Sequence, residues 1–162
     1  MKIDYLPYLR RKVGHDLVLS VGLSVLLVDP ERRLVLLEKR ADNGLFCLPG
    51  GSIDLGEKVL DGARRELFEE TGIADCGPLS LFMVLSGEGC RLHYPNGDVT
   101  EYCDFIFLGE YDASAYEPKH DGESTFVGFV PFDAFPKEED CLRGTYRIFQ
   151  RYLSGERSLL ID

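Results

Sequence analysis

Apolar residues first gather in two runs, residues 17–28 and 34–38, separated by Asp29-Pro30-Glu31-Arg32-Arg33. Their length and branched content predict two strands joined by a turn. A mixed apolar and basic stretch over residues 3–12 predicts a short helix ahead of them. Residues 45–48 read as a short strand that feeds a Pro49-Gly50-Gly51 turn. From about Glu57 to Thr71 the period changes to that of a helix, with Leu60, Ala63 and Leu67 as its core-facing stripe. Gly72 follows where a left-handed cap is needed, and Ile73 is placed for the accompanying apolar contact. Strands are predicted at 79–85, 99–110 and 126–132, the second preceded by a Pro95-Asn96-Gly97-Asp98 turn. Residues 138–153 carry Leu142, Tyr146, Phe149 and Leu153 at helical spacing. Strands and helices mix without regular β-α-β alternation, so the class is α+β. No repeat, low-complexity stretch or linker divides the 162 residues, which predicts a single domain over 1–162 with an N-terminal segment at 1–16.

The polar side of the helix carries the chemistry. With Glu66 at zero and about 100° per residue, Glu69 falls near 300° and Glu70 near 40°. Three carboxylates therefore share one face, and like charges at these spacings destabilise a bare helix. A hard divalent cation removes the conflict, because Mg²⁺ and Mn²⁺ prefer carboxylate oxygen. Arg65 lies four residues before Glu69 and can brace it within one turn. Gly62 falls on the same face, where a missing side chain leaves room beside the carboxylates.

Gly51, Glu57, Arg65, Glu66, Leu67, Glu69, Glu70, Gly72 and Ile73 match G-x5-E-x7-R-E-U-x-E-E-x-G-U at every specified position, with U aliphatic. At average residue usage such a match arises by chance about once in 10⁸ windows. Residues 51–73 thus resemble the Nudix box, and the chain resembles the Nudix hydrolase family over most of its length. The resemblance implies an αβα sandwich, a mixed β-sheet between helices. It implies metal ligation by Glu57, Glu66, Glu69, Glu70 and the Gly51 carbonyl, with Mg²⁺ or Mn²⁺ as cofactor. The implied reaction is hydrolysis of a phosphoanhydride in a nucleoside diphosphate linked to another moiety: a nucleotide sugar, an ADP-ribose-like compound or a nucleoside triphosphate. Many family members take a base from the loop entering a late strand, and Glu123 stands at the comparable place; Glu69 or Glu70 is the alternative base. Two departures, Phe46 where many members have Trp and Asp54 where many have Glu, fall outside the defining positions. ADP-ribose hydrolases of the family often have Pro, and dinucleoside polyphosphate hydrolases Tyr, where this chain has Glu88, Gly89 and Cys90.

Composition narrows the alternatives. A net charge of −10 argues against a protein that binds nucleic-acid backbone, so an RNA 5′ pyrophosphohydrolase is the disfavoured alternative. A non-catalytic nucleotide sensor on the same fold is a second alternative, set against an intact box. An isoprenyl diphosphate isomerase relative wants additional Cys and His ligands, and His15, His93 and His120 lack that spacing. The five cysteines (47, 76, 90, 103 and 141) are odd in number and form no C-x-x-C pair, which suits a reducing cytoplasm. No stretch approaches 18 uncharged apolar residues, so no membrane partner is expected. The expected partner is a small nucleotide, and many relatives pair as homodimers. Lys39 and Arg40 end a strand before the box and are candidates for phosphate or ribose contact; Phe46 is a candidate for stacking on a base. Tyr94, with Arg91 and His93, precedes the 95–98 turn and is a candidate for base or sugar contact. For each of these the plain alternative is a solvated strand end, a polar hairpin or a core aromatic.

Overall fold

The computed structural model describes residues 5–119, 122–142 and 144–162. Three helices, α1 (Tyr5–Val13), α2 (Val59–Thr71) and α3 (Thr145–Leu153), accompany nine strands. The strands are β1 (Val18–Asp29), β2 (Leu34–Arg40), β3 (Phe46–Cys47), β4 (Gly50–Ser52), β5 (Leu79–Leu85), β6 (Arg91–His93), β7 (Val99–Glu110), β8 (Ser124–Pro131) and β9 (Leu160–Ile161). One path through the sheet runs β3-β2-β1-β7-β5-β9, with β4 on β1, β6 on β7 and β8 on β2. β1 and β7 run parallel, as do β5 and β9, and the remaining pairs are antiparallel. The sheet is therefore mixed, as expected for α+β.

Side-chain alternation along β1 divides the core in two. Leu23, Val25 and Leu27 face α2 and pack with Ala63, Leu67 and Phe107. Leu26 and Val28 face α3 and pack with Ile106, Ile148 and Phe149. The result is the expected αβα sandwich. The β1–β2 pairing is confined to Val28–Val35 and Asp29–Leu34, and nearer its start β1 pairs with β4 instead. β1 and β2 thus separate toward one end, and the Gly50–Gly51 backbone fills part of the gap.

Three expectations are corrected. Leu60 is exposed at 37%, and Val59 takes its place in the stripe with Ala63 and Leu67. The helix begins at Val59, so Val59, Ala63 and Leu67 fall at i, i+4 and i+8 on the buried side. The last helix covers Thr145–Leu153 rather than 138–153. Gly144 has φ 88°, a left-handed conformation that no helix continues through, and Glu138–Asp140 forms a separate 3-10 turn. Leu142 consequently lies on an extended link whose N–H donates to the Phe46 carbonyl at 2.7 Å. β4, β6 and β9 were not anticipated, being two or three residues long and without alternation. Gly72 does cap α2, with φ 80° and its N–H bonded to the Phe68 carbonyl.

Candidate active site

α2 lies against the β1–β4 end of the sheet because Ala63 and Leu67 bury beneath it. Its polar face then meets the Gly50–Ser52 backbone. A Cβ on Gly51 would sit 2.6 Å from the Glu66 carboxyl carbon, and a Cβ on Gly50 would collide with the Leu23 carbonyl. Glycine is required at Gly50, where the clash is with backbone, while a side chain at Gly51 would displace the Glu66 carboxylate. The Gly50 N–H donates to Glu70 Oε2 at 2.6 Å, tying the loop to the helix. The space beside Gly62 is taken by Leu23 and by Glu57, whose Oε2 would lie 2.7 Å from an added Cβ.

Arg65 occupies the middle of the acidic face. Its guanidinium donates to Glu57 at 2.8 and 2.9 Å, to Glu66 at 2.7 Å, to Glu69 at 3.1 Å and to the Ser52 carbonyl at 3.1 Å. Asp54 approaches it at 3.5 Å. These bonds, Glu57 first, hold the guanidinium charged. Desolvation pushes the Glu66 carboxyl above its ordinary range against the opposing effect of Arg65. Among the described residues no three acidic, His or Cys side chains are gathered as a ready-made metal cage. The donors are nonetheless hard oxygens of the type that Mg²⁺ and Mn²⁺ take, and the absent Cβ of Gly51 brings a backbone carbonyl strand against Glu66. The residues fit a divalent cation once Arg65 yields part of its hold.

Two adjacent spaces open from this floor. The outer basin, about 880 Å³, is lined by the α2 carboxylates Glu66, Glu69 and Glu70, by Arg11 and Arg40, and by Glu123. An inner chamber of about 130 Å³ lies on the α3 side of the sheet. Gly22 and Ser24 of β1, Tyr102 and Asp104 of β7, Leu85 of β5 and Leu142, Thr145 and Ile148 near α3 form its walls. Arg40, Gly50, Gly51, Tyr94 and Tyr102 line both spaces, so the two are adjacent.

The sequence model of the NUDIX domain matches residues 18–152, most of the chain. The chain belongs to the Nudix family. Among its Nudix relatives, a MutT-like protein of Streptomyces ambofaciens is 44% identical over 54 residues. That match spans 33% of this chain and 34% of the Streptomyces protein, about a third of each. The RNA pyrophosphohydrolase of Brucella anthropi is 32% identical over 119 residues, covering 64% of this chain and 68% of that one. The crystal structure of the mutator MutT protein of Bacillus halodurans superposes with a TM-score of 0.65 at 25% identity, covering 88% of this chain and 86% of that one. No helix among the described residues is long and apolar enough to cross a membrane.

Within this Nudix fold the sequence candidates fall into two groups. Gly51, Arg65, Glu66, Glu69, Glu70, Arg40, Tyr94 and Glu123 all border the basin. Glu57 stands just behind it, bonded to Arg65 and to the Asp54 N–H at 3.0 Å. Glu123 is exposed, and its carbonyl accepts from the Ala41 N–H at 2.9 Å. His120 and Asp121, the start of its polar loop, lie outside the described residues. Lys39 and Phe46 border neither space: the Lys39 ammonium sits 5.0 Å over the Phe46 ring, which meets Phe126 edge-on at 6.2 Å. Phe46 also packs against the α3-side core. Tyr94 hydroxyl bonds Tyr102 hydroxyl at 2.8 Å, and burial pushes its ionisation well above the ordinary tyrosine range. Arg40 is fixed by two bonds to Asp42, at 2.9 and 2.7 Å.

Sequence reasoning missed the chamber. Asp104 and Ser24 are 80 positions apart, and their juxtaposition needs the parallel β1–β7 register that pairs Gly22 with Asp104. One signal was present: a lone aspartate inside the apolar strand over 99–110 breaks the alternation expected of a buried face.

Proposed function

We propose that the chain, acting as one domain, hydrolyses a phosphoanhydride bond in a nucleoside diphosphate linked to another moiety. The observation that carries this reading is the set of α2 carboxylates facing a glycine backbone on the floor of an open basin. Glu57, Glu66, Glu69 and Glu70, with the Gly51 carbonyl, would hold Mg²⁺ or Mn²⁺. Such an ion, when bound, neutralises phosphate oxygens and lowers the pKa of a water. The protein's own groups do the rest. Arg65 fixes the relative positions of Glu57, Glu66 and Glu69 and keeps their mutual repulsion in check. The Gly50 N–H orients Glu70. Arg40, on the basin rim, supplies a cation against which a polyphosphate can settle, which an acidic protein needs locally. Glu123, across the basin from α2, takes the proton of the attacking water. An exposed loop position suits that task, because the base is needed only after substrate has settled.

The similarity to a Brucella RNA pyrophosphohydrolase over two thirds of that protein favours a second reading, removal of pyrophosphate from an RNA 5′ end. The net charge of −10 weighs against it. Incubating the chain and Mg²⁺ with a nucleotide sugar, a nucleoside triphosphate and a 5′-triphosphorylated RNA, and assaying monophosphate, diphosphate and phosphate, separates these readings. Turnover of the small nucleotides supports the first. Equal turnover in EDTA and in Mg²⁺ overturns the metal role.

A further inference from the structure

Asp104 stands apart from the α2 carboxylates, on the other side of the sheet. Its side chain points from β7 into the inner chamber, opposite Gly22, where an added Cβ would lie 2.9 Å from Asp104 Oδ1 and 3.2 Å from the Tyr102 ring. The glycine is what gives the carboxylate its room. Its bonded side-chain partner is the Ser24 hydroxyl, at 3.0 and 3.3 Å from the two carboxylate oxygens. No cation among the described residues forms an ion pair with it. Desolvation pushes its ionisation up to about 6, yet at neutral pH it remains mostly a carboxylate. A charge kept in such a place with one hydroxyl for company has acceptor capacity to spare.

We propose that the inner chamber seats the nucleobase of the substrate, and that Asp104 selects a guanine-type edge by accepting two adjacent N–H groups. This deepens the hydrolase reading and rests on it for the placement of the phosphates over α2. Three observations converge. The chamber adjoins the basin, with Gly50, Gly51 and Arg40 lining both, so base and phosphates of one nucleotide can be assigned to neighbouring spaces. Leu85, Leu92, Leu142 and Ile148 give it the apolar walls on which a flat ring packs. Asp104 presents a pure acceptor pair among those walls. Guanine offers N1–H and the 2-amino group side by side. Adenine and cytosine offer one amino group beside a ring acceptor, which a carboxylate repels, and uracil offers a single N–H flanked by carbonyls. A site built to pair with two donors rejects bases that leave its carboxylate unpaired.

Calorimetric titration of the metal-free chain with GMP, IMP and AMP tests the chamber without calling on hydrolysis. GMP is expected to bind at least about tenfold tighter than AMP, with IMP, which keeps N1–H and lacks the 2-amino group, in between. Asp104→Asn replaces the acceptor pair by one acceptor and one donor. The variant is expected to lose about 10–100-fold for GMP, the range of one bidentate base contact, and to shift its preference to AMP. A residue that merely supported the fold would weaken all three ligands alike. Equal affinity of the wild type for GMP and AMP overturns the proposal, whether or not the variant folds. So does a variant that folds and keeps its preference for GMP. If the monophosphates bind in the expected order but the chain with Mg²⁺ hydrolyses neither GTP nor a guanosine diphosphate sugar, the hydrolase reading fails and the base pocket stands. Hydrolysis without base preference is the converse.

Discussion

On the α2 side of the sheet, four carboxylates (Asp54, Glu57, Glu66 and Glu69) surround one guanidinium. On the α3 side, Asp104 has the Ser24 hydroxyl. The first arrangement shares one internal cation among several carboxylates and keeps a net negative charge that a divalent ion can take up. The second has no paired cation among the described residues, and the fold carries the desolvation cost. Under the proposed function and base pocket, the contrast separates two tasks. Carboxylates that must receive a cation are held by an internal cation until it arrives, so the face neither collapses nor repels itself apart. A carboxylate that must discriminate between neutral ring edges is left acceptor-rich, since an internal partner would compete with the ligand. Acidic residues at the two places therefore respond differently to removal of charge.

The largest expected effect is at the basin rim. Glu123→Gln is expected to lower kcat by about 10²–10⁴ with KM little changed, the range of general-base catalysis. A steady-state comparison at neutral pH checks it, and near wild-type kcat would return the proton acceptor to α2. Next come the box carboxylates. Glu70→Gln keeps an acceptor for the Gly50 N–H but removes a charge, and Glu69→Gln does the same beside Arg65. Each is expected to reduce activity by at least about 10², while stability stays within about 1 kcal/mol because these side chains lie on a partly exposed helix face. Activity and urea melts on the same samples test both halves. A variant that loses activity by unfolding would contradict the view that neither charge is needed to hold this face together.

The two sides also differ in how they are written in the chain. Every residue of the α2 face lies between positions 50 and 70, and helical geometry converts spacing into adjacency without help from the rest of the fold. The carboxylate face, the Gly72 cap and the glycine turn were legible for that reason. Leu60 was misplaced because the buried stripe runs from Val59 through Ala63 to Leu67, which leaves Leu60 at its outer edge in the first, exposed turn. The chamber draws on β1, β5, β7 and the link before α3, and no local pattern reports which of these meet. The extended conformation of residues 141–142 was hidden by apolar spacing that also suits a helix; the left-handed Gly144 decides against it. Phe46 and Lys39 looked like site residues because they flank the box in sequence, but strand alternation turns Lys39 toward the Phe46 ring.

The smallest effect is the most specific to the chamber. The Asp104 carboxyl titrates at about 6 in the fold, above the ordinary 3.8, because burial disfavours its charged form. An acid whose folded pKa is raised holds its proton more tightly in the native state. Its contribution is therefore most favourable below the unfolded pKa, declines as pH rises from about 4 to about 6, and is level above that. The full shift corresponds to about 3 kcal/mol at 1.36 kcal/mol per unit. Solvent reaching the carboxylate through the chamber mouth reduces this to about 1–2 kcal/mol. Asp104→Asn removes the titration, so the variant is expected to be more stable than the wild type at pH 7, with the difference shrinking toward pH 4. Other titratable groups among the described residues face the chamber, namely Glu38, Cys47, Cys90, Tyr94 and Tyr102, with Arg40 as the cation among them. They are common to both proteins, so the difference curve isolates Asp104. Urea melts of the pair at pH 4, 5, 6 and 7 measure it. A difference that does not change with pH across this window would mean that Asp104 is not desolvated, and the contrast between the two sides of the sheet would lose its electrostatic basis.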